Sequence, residues 1–154
     1  MGNTLFKTIA VLLILGVALT GCQSKEPERE PEAKTEANPE AEKAALEAAG
    51  TWLALVDGRK YLESWQECAE FFRNAVSKEN WEKSLQTFRV PLGKMVSREV
   101  KSKRYTTSAP GAPDGQYVII QYQASFENKK SAIETVTPML DKDGKWRVSG
   151  YYIR

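Results

Sequence analysis

The apolar residues of this 154-residue chain change their spacing once, near Pro91 and Gly93, and this change constrains the fold more than any other feature. Before it, apolar residues recur every three or four positions, as they do on one face of an α-helix. After it, they alternate with polar residues, as in strands that bury one face. Helices followed by consecutive antiparallel strands predict an α+β fold, with N-terminal helices packed on a curved antiparallel sheet of about four strands.

Three helices are predicted in the first half of the folded domain. Gly58 stands where the first helix should end, and the Ser77 hydroxyl can cap the start of the third. Pro91 and Gly93 then end the third helix. The residues expected to face inward are Ala45, Ala48, Ala49, Trp52, Leu53 and Val56 in the first helix, Tyr61, Trp65, Cys68, Phe72 and Val76 in the second, and Trp81, Leu85 and Phe88 in the third.

Four strands are predicted in the second half. Gly150 lies inside the last strand, and a glycine there indicates a bend or bulge of the kind that curved sheets contain. The predicted segments are a strand over 95–105, a loop over 109–115, strands over 118–126 and 131–140, a turn over 141–144 and a last strand from residue 146. The alternating residues are Val118, Ile120, Tyr122, Ala124 and Phe126 in the second strand and Trp146, Val148, Gly150 and Tyr152 in the last.

The N-terminus has the three-part composition of a secretory signal. Lys7 precedes an apolar run over residues 9–19, which is shorter than the about 20 residues that a membrane-spanning helix needs. The run ends in the letters LTGC (residues 19–22), which resemble the lipobox of bacterial lipoproteins. This resemblance implies cleavage between Gly21 and Cys22 and lipid attachment to the Cys22 thiol. The alternative is an ordinary signal peptide with a chance cysteine.

The lipobox resemblance divides the chain into three parts. Residues 1–21 form the signal peptide, residues 22–40 carry the lipid and form a linker, and residues 41–154 form the folded domain. The linker should be disordered, because it holds three prolines and no aromatic or branched aliphatic residue that could form a core. By resemblance to enteric-type lipoproteins, Gln23 in place of aspartate favours the outer membrane, with the domain facing the periplasm.

A second resemblance covers nearly all of the chain from Ala45. The segment WLALVDGRKYLESW resembles the helix, turn and helix that open NTF2-like domains, and DGKWRVSGYYIR resembles their closing strand. The wider pattern, with VPLGKMVSREVKS and PGAPDGQYVIIQYQASFENKKSAIETV, resembles a bacterial family known only as domain of unknown function number 4019. The resemblance implies a cone, in which a curved sheet wraps around helices and encloses a pocket. It implies no activity, because this fold hosts both enzymes and binding proteins.

Several chemistries are excluded by composition. The chain has no histidine, which removes Ser–His and Cys–His nucleophile pairs and zinc sites built on imidazole. With Cys22 lipidated, Cys68 has no disulfide partner, and its place on a helical stripe predicts a buried apolar side chain rather than a reactive thiol. The DKDG segment (141–144) lacks the carboxylates of a calcium loop and predicts a hairpin turn. We expect no cofactor, metal site or catalytic residue set.

Arg98 is the residue most open to a functional interpretation. It alternates onto the side of its strand that carries Val96 and Val100, so it must be paired or face a pocket. A guanidinium inside the cone could bind a carboxylate or phosphate ligand. Alternatively it reaches solvent at the rim or forms a buried ion pair, for which the candidate partners are Asp57, Glu67 and Glu134.

The expected pocket residues are Arg98, Asp57, Trp65, Tyr122 and Trp146. The same strand carries a basic run, in which Lys101 and Lys103 are expected to point away from Arg98. Such a run is typical of a solvated strand, or alternatively of an edge that touches anionic lipid or glycan.

Together these features favour a non-catalytic cell-envelope lipoprotein. It would be held at the membrane by its lipid, bind an anionic small ligand or an envelope protein, and have no nucleic-acid partner. One alternative is a cone-pocket enzyme of the hydrolase or isomerase type, with Asp57 or Glu134 as base and Arg98 or a tyrosine as electrophile. Another is a purely structural surface protein. The sequence is consistent with either a monomer or a dimer.

Overall fold

The computed structural model describes residues 37–154, so the predicted signal peptide, the cleavage site between Gly21 and Cys22 and most of the predicted linker lie outside the described residues. The elements are α1 (Pro39–Asp57), α2 (Tyr61–Gln66), α3 (Glu70–Ala75), α4 (Lys78–Phe88), a 3-10 turn (Val90–Leu92), β1 (Met95–Thr106), β2 (Tyr117–Phe126), β3 (Lys129–Leu140) and β4 (Trp146–Ile153). The strands form one antiparallel sheet in the order β1-β2-β3-β4, which confirms the α+β prediction. No helix between residues 37 and 154 is long and apolar enough to cross a membrane.

α1 begins at Pro39, slightly before the predicted domain boundary at Ala41. Asn38 caps the helix, because its side-chain oxygen accepts a hydrogen bond from the Ala41 amide at 3.1 Å. Proline suits the first turn, where an amide would have no partner within the helix. Glu40 and Glu42 add negative charge at the positive end of the helix dipole.

Gly58 is the C-cap of α1, as predicted, and the left-handed residue of this hydrogen-bonded cap is the following residue, Arg59. The Lys60 amide donates to the Leu55 carbonyl at 2.8 Å, and the Arg59 amide donates to the Val56 carbonyl at 3.1 Å. In this cap the residue after the helix takes a positive φ, a conformation in which glycine is preferred. Arg59 has φ 58°, while Gly58 has the ordinary φ of −76°.

The second apolar stripe does not form one helix as predicted. It is divided between α2 and α3, because the chain leaves the helical path to pair with β4. Cys68 forms a parallel bridge with Val148, and the Ala69 amide donates to the Val148 carbonyl at 2.9 Å. The break anchors the helical half of the domain to the sheet.

The sheet buries its inner face, the face that packs against the helices. All five alternating residues predicted for β2 are buried on this face, namely Val118, Ile120, Tyr122, Ala124 and Phe126. The opposite, outer face carries Tyr117 and Ile119 from β2. Part of the outer face is covered by Phe71 of α3 and by the loop over residues 107–116, which pack against a cluster that includes Tyr117 and Met139.

A bulge at Ser149 in β4 confirms the irregularity predicted at Gly150. Pro138 pairs with Val148 and Thr137 pairs with Gly150, so Ser149 has no partner of its own in β3. Because one extra residue reverses the alternation, Tyr151 packs inside and Tyr152 lies outside, where it is 50% exposed. The predicted grouping of Tyr152 with Val148 on one face is therefore wrong.

Two further bulges in β1 change which of its side chains face inward. Val96 and Lys101 are the extra residues, since register shifts lie between Met95 and Ser97 and between Val100 and Ser102. Val96 and Val100 are exposed, so the prediction that they flank Arg98 in the core is wrong. Lys103 pairs with the inward residue Ile120, so it lies on the same face as Arg98 rather than the opposite one.

Aromatic side chains fill the space between the helices and the inner face. The ring centroids of Trp52 and Tyr151 lie 5.2 Å apart, and those of Trp52 and Trp81 lie 5.8 Å apart. The two indole N–H groups both donate to Ser64, at 2.8 and 3.0 Å. Phe88, predicted to face inward, is instead 74% exposed.

Candidate functional site

Five polar side chains meet on the inner face in what we call the charged cluster. Its members are Asp57 at the end of α1, Arg89 after α4, Arg98 of β1, Glu134 of β3 and Tyr151 of β4. The cluster contains two arginines and two carboxylates, so its formal charges cancel. It ties the ends of two helices to three of the four strands.

Arg98 lies at the centre of the charged cluster and contacts both carboxylates. Its Nη1 and Nη2 donate to the two oxygens of Asp57 at 2.8 and 3.2 Å. Its Nε and Nη2 donate to the two oxygens of Glu134 at 2.5 and 3.2 Å. The prediction of a buried ion pair is confirmed for Asp57 and Glu134, two of its three candidate partners. The fork geometry of the guanidinium allows it to hold two carboxylates at once.

Glu134 is fully buried, at 0% exposure, and depends on its partners for solvation. Besides Arg98, it accepts a hydrogen bond from the Tyr151 hydroxyl at 2.8 Å. Burial, followed by the nearby charge of Glu134, raises the pKa of Tyr151 well above its usual value, so this phenol remains a neutral donor. Tyr122 lies close enough for Arg98 and Glu134 to influence its pKa, which burial raises above the usual value.

Arg89 was not predicted as a site residue. Its Nη2 donates to Asp57 at 3.0 Å, its Nη1 donates to the Gly93 carbonyl at 2.6 Å, and its guanidinium lies 4.5 Å from the centre of the Phe126 ring. The helical period offered two positions one turn after Leu85, and the structure buries Arg89 there instead of Phe88. At this position Arg89 adds a second cation beside Asp57, a contact that a phenylalanine could not make.

The charged cluster is closed at its carboxylates, while the buried Nε of Arg89 has no hydrogen-bond partner in the described residues. Each of the four carboxylate oxygens of Asp57 and Glu134 accepts at least one hydrogen bond from within the cluster. Burial lowers the pKa of the Arg98 guanidinium, but the hydrogen bonds to Asp57 and then Glu134 outweigh this effect and raise it overall. A carboxylate base must reach the proton it removes, and neither carboxylate has an uncommitted oxygen.

The structure brings together only some of the residues predicted to form a pocket. Arg98, Asp57 and Tyr122 lie at or beside the charged cluster. Trp65 lies apart from it, with its indole N–H donating to the Val76 carbonyl at 2.7 Å. Trp146 lines a separate cavity of about 280 Å³ between α1 and β4.

Cys68 is buried at 0% exposure, as predicted, and burial raises the pKa of its thiol to about 12.

The DKDG segment forms the predicted turn, in which the Gly144 amide donates to the Asp141 carbonyl at 2.9 Å. Its Asp143 carboxylate is held by two 2.7 Å hydrogen bonds from Arg147. Within residues 37–154, no three His, Cys, Asp or Glu side chains come together to hold a metal ion.

Arg89 of the charged cluster lines two small cavities in the described part of the chain. One of about 30 Å³ is lined by Asp57 and Arg89, and one of about 160 Å³ between α4 and β4 is lined by Arg89 and Tyr151. Both volumes are below the roughly 300–1,000 Å³ that is usual for small-molecule sites. Neither is lined by Arg98, so the guanidinium predicted to face a ligand instead faces its two carboxylates.

A larger cavity, which we call the outer-face pocket, has a volume of about 350 Å³ and opens on the other side of the sheet. Its walls include Phe71, Tyr117, Ile119, Thr135 and Tyr152. The Thr135 hydroxyl is buried and has no hydrogen-bond partner among the described residues. A buried polar group without a hydrogen-bond partner costs about 1–3 kcal/mol, so the unpaired hydroxyl of Thr135 requires an explanation.

The outer-face pocket was not predicted from the sequence. One feature of the sequence could have indicated this pocket. Apolar and β-branched side chains occupy strand positions that point away from the helices, namely Ile119, Thr135 and Thr137. Such residues on the uncovered face of an antiparallel sheet are unusual, because that face is normally polar.

The fold and the charged cluster define a small α+β domain with a closed polar interior. Residues 48–151 match the model of a family described as protein of unknown function (DUF4019). Because this match covers more than half of the chain, the chain belongs to that family. No curated protein and no solved structure has significant similarity to the chain.

Proposed function

We propose that this protein is a cell-envelope lipoprotein whose folded domain binds a small ligand or a protein partner without catalysing a reaction. The observation that carries the proposal is the closed charged cluster. The enzyme alternative assigns the role of base to Asp57 or Glu134, and both carboxylates are neutralised and hydrogen-bonded by arginines. These two residues act as structural groups in this proposal.

An anionic ligand at Arg98 would have to replace one of its carboxylates. Removing one partner of a buried ion pair typically costs about 3–5 kcal/mol, because the other charge remains unpaired. The ligand would have to overcome this penalty before gaining affinity. We therefore place ligand binding outside the charged cluster.

The proposed anchor is a lipid on Cys22, in the LTGC segment that follows the short apolar run. A single acyl chain gives only marginal membrane binding, so the two or three chains implied by the lipoprotein resemblance are needed for permanent attachment. With Gln23 after the cysteine, the outer membrane is the proposed location, with the domain facing the periplasm. The segment up to Asn38 is the proposed spacer.

We also propose that the domain is NTF2-like. This proposal is supported by the order of helices followed by four antiparallel strands and by the bulges that allow the sheet to curve. The aromatic side chains and the charged cluster occupy the interior that would be the pocket of an open cone. Binding through another surface is therefore favoured.

Native mass spectrometry tests the proposed function. The full chain would be extracted from its native membranes in mild detergent and analysed before and after incubation with the co-extracted molecules. We expect one small molecule or partner protein to remain bound with unchanged mass. Conversion of a bound molecule into a product of different mass would overturn the non-catalytic proposal, and a chain that retains no partner would favour a structural surface protein.

A further inference from the structure

We propose that the outer-face pocket binds a small, uncharged, mainly apolar molecule through one hydrogen bond to Thr135. This inference rests on the proposed binding function and names the ligand class and the site. The helices cover the inner face, whereas the outer face is covered only in part, by Phe71 and the 107–116 loop.

The size of the outer-face pocket suits a small molecule rather than a solvent cluster. Its volume of about 350 Å³ lies in the roughly 300–1,000 Å³ range of small-molecule sites, and its walls include the buried Thr135 hydroxyl, which has no partner in the described residues. Phe71 and Tyr117 supply aromatic surface, and Ala109 to Ala112 form a wall without long side chains. Such a site favours a compact body with aromatic or aliphatic surface.

The charge of the ligand follows from the residues that line the outer-face pocket. No Lys, Arg, Asp or Glu is among them in the described part of the chain. A charged ligand would lose its hydration there without gaining a counter-charge. An uncharged ligand avoids this loss.

The hydrogen bond is assigned to Thr135 because, among the hydroxyls that line the pocket, that of Thr135 is the one both buried and without a partner in the described residues. The Tyr117 hydroxyl donates to the Pro113 carbonyl at 2.6 Å, and the Ser149 hydroxyl donates to the Thr137 carbonyl at 2.8 Å. Thr135 is only 2% exposed, and its hydroxyl lacks a partner in the described residues. It pairs with Gln121 and Tyr152, which places its side chain on the outer face.

Gly150 provides a way to fill the outer-face pocket without disturbing the sheet. It lines the pocket, and a Cβ added there would meet the Thr137 Cβ at 3.5 Å, an ordinary van der Waals distance. Because Thr137 also lines the pocket, a longer side chain at position 150 would extend into it. Gly150→Leu is therefore the blocking variant, and Thr135→Val is the variant that removes the hydroxyl while keeping the shape.

Benzophenone is a suitable probe, because it is uncharged, has two aromatic rings and carries one carbonyl that can accept a hydrogen bond from Thr135. The full chain in detergent micelles would be irradiated with benzophenone, and the labelled peptides would be mapped by mass spectrometry. We expect labelling of the 107–116 loop and of β4. Labelling there should fall at least tenfold in Gly150→Leu and severalfold in Thr135→Val.

Two controls separate the site from general apolar binding. Thr87→Val on α4 makes the same chemical change away from the pocket, since the Thr87 hydroxyl donates to the Lys83 carbonyl, and it should leave labelling unchanged. The charged analogue 4-benzoylbenzoate should label the pocket peptides at least tenfold less than benzophenone. Thermal unfolding checks that the variants fold, and Thr135→Val should unfold no earlier than the native chain because it removes an unsatisfied hydroxyl.

Equal benzophenone labelling of these peptides in the native chain and Thr135→Val would overturn the assigned hydrogen bond. Equal labelling by the two probes would overturn the uncharged ligand class. Native mass spectrometry distinguishes failure of the site from failure of the function. A molecule that stays bound to Gly150→Leu would overturn the outer-face pocket and leave the binding function intact, whereas its loss from Gly150→Leu alone supports both.

Discussion

Arg98 and Glu134 form an ion pair across an intervening strand. Arg98 lies on β1 and Glu134 on β3, with β2 between them, and Nε of Arg98 is 2.5 Å from Oε2 of Glu134. Two strand spacings are roughly 10 Å, which a long arginine side chain can cross if the middle strand leaves room. Arg98 pairs directly with Ala124, whose methyl group is small enough to allow this passage.

The first prediction concerns Arg98→Met, which leaves the buried Glu134 and the adjacent Asp57 without their main cation. Breaking a buried pair in this way should lower the free energy of unfolding by about 3–5 kcal/mol. The measurement is urea unfolding of residues 37–154 followed by tryptophan fluorescence. Lys101→Gln is the control on the same strand, and it should change stability by less than about 0.5 kcal/mol because Lys101 is exposed.

A loss below about 1 kcal/mol for Arg98→Met would contradict a structural role for the charged cluster. In that case Arg98 would be available to a ligand, as in the alternative derived from the sequence. An anionic ligand whose binding is lost in the same variant would then support the pocket at Arg98. The two roles therefore lead to opposite changes in stability and binding.

The sequence predicted the class of fold, two of the partners of Arg98 and an irregularity at Gly150, but not the bulges of β1 or the change of face that follows each bulge. The change from helical to alternating apolar spacing extends over whole helices and strands, so one extra residue in a strand does not obscure it. The bulge at Lys101 is invisible in the apolar spacing because it arises from strand pairing, and it places Lys103 on the inner face. Gly150 indicated the bulge at Ser149 but not that the bulge would place Tyr151 on the inner face. Arg89 was missed because a charged residue at the end of an amphipathic helix is usually exposed.

The second prediction uses the positive φ of Arg59. Glycine adopts this conformation without the steric cost of a side chain, so Arg59→Gly should raise the free energy of unfolding by about 0.5–1 kcal/mol. Lys60→Gly is the matched control, because Lys60 has φ −84° and a glycine there should be neutral or destabilising. Equal effects of the two changes on the urea midpoint would show that the cap at Arg59 is assigned incorrectly.

The third prediction concerns the Cys68 thiol, whose pKa is raised from 9.0 to about 12, chiefly by burial. The folded state favours the protonated thiol, so this stabilisation is complete below pH 9 and is lost as the pH rises toward 12. In residues 37–154 the thiol should resist iodoacetamide at about pH 8 and react after unfolding in urea. The stability lost between pH 9 and 12 should be smaller in Cys68→Ala, and rapid alkylation of the folded protein at pH 8 would contradict this environment.

The fourth prediction tests the proposed anchor at Cys22. Radiolabelled palmitate should enter the full chain when it is produced in a bacterial host, and it should not enter Cys22→Ser. Cys68→Ala serves as the control for labelling of the other cysteine and should be labelled like the unchanged chain. If Cys22→Ser and the unchanged chain are labelled equally, the lipid is attached elsewhere and the lipoprotein proposal fails.

The last prediction concerns Lys103, which the bulge at Lys101 turns toward α1. Its Nζ lies 3.0 Å from Oε2 of Glu42, but the lysine side chain is 41% exposed, so the pair should contribute less than about 1 kcal/mol. Lys103→Gln should therefore lower stability slightly at low salt, and the difference should disappear near 1 M salt because partly exposed charges are screened. Glu42→Gln should lose somewhat more, because it also removes a charge that interacts favourably with the helix dipole, and the double variant should lose no more than Glu42→Gln alone. Additive losses in the double variant would show that Lys103 and Glu42 do not interact, and the inward position of Lys103 would then have to be revised.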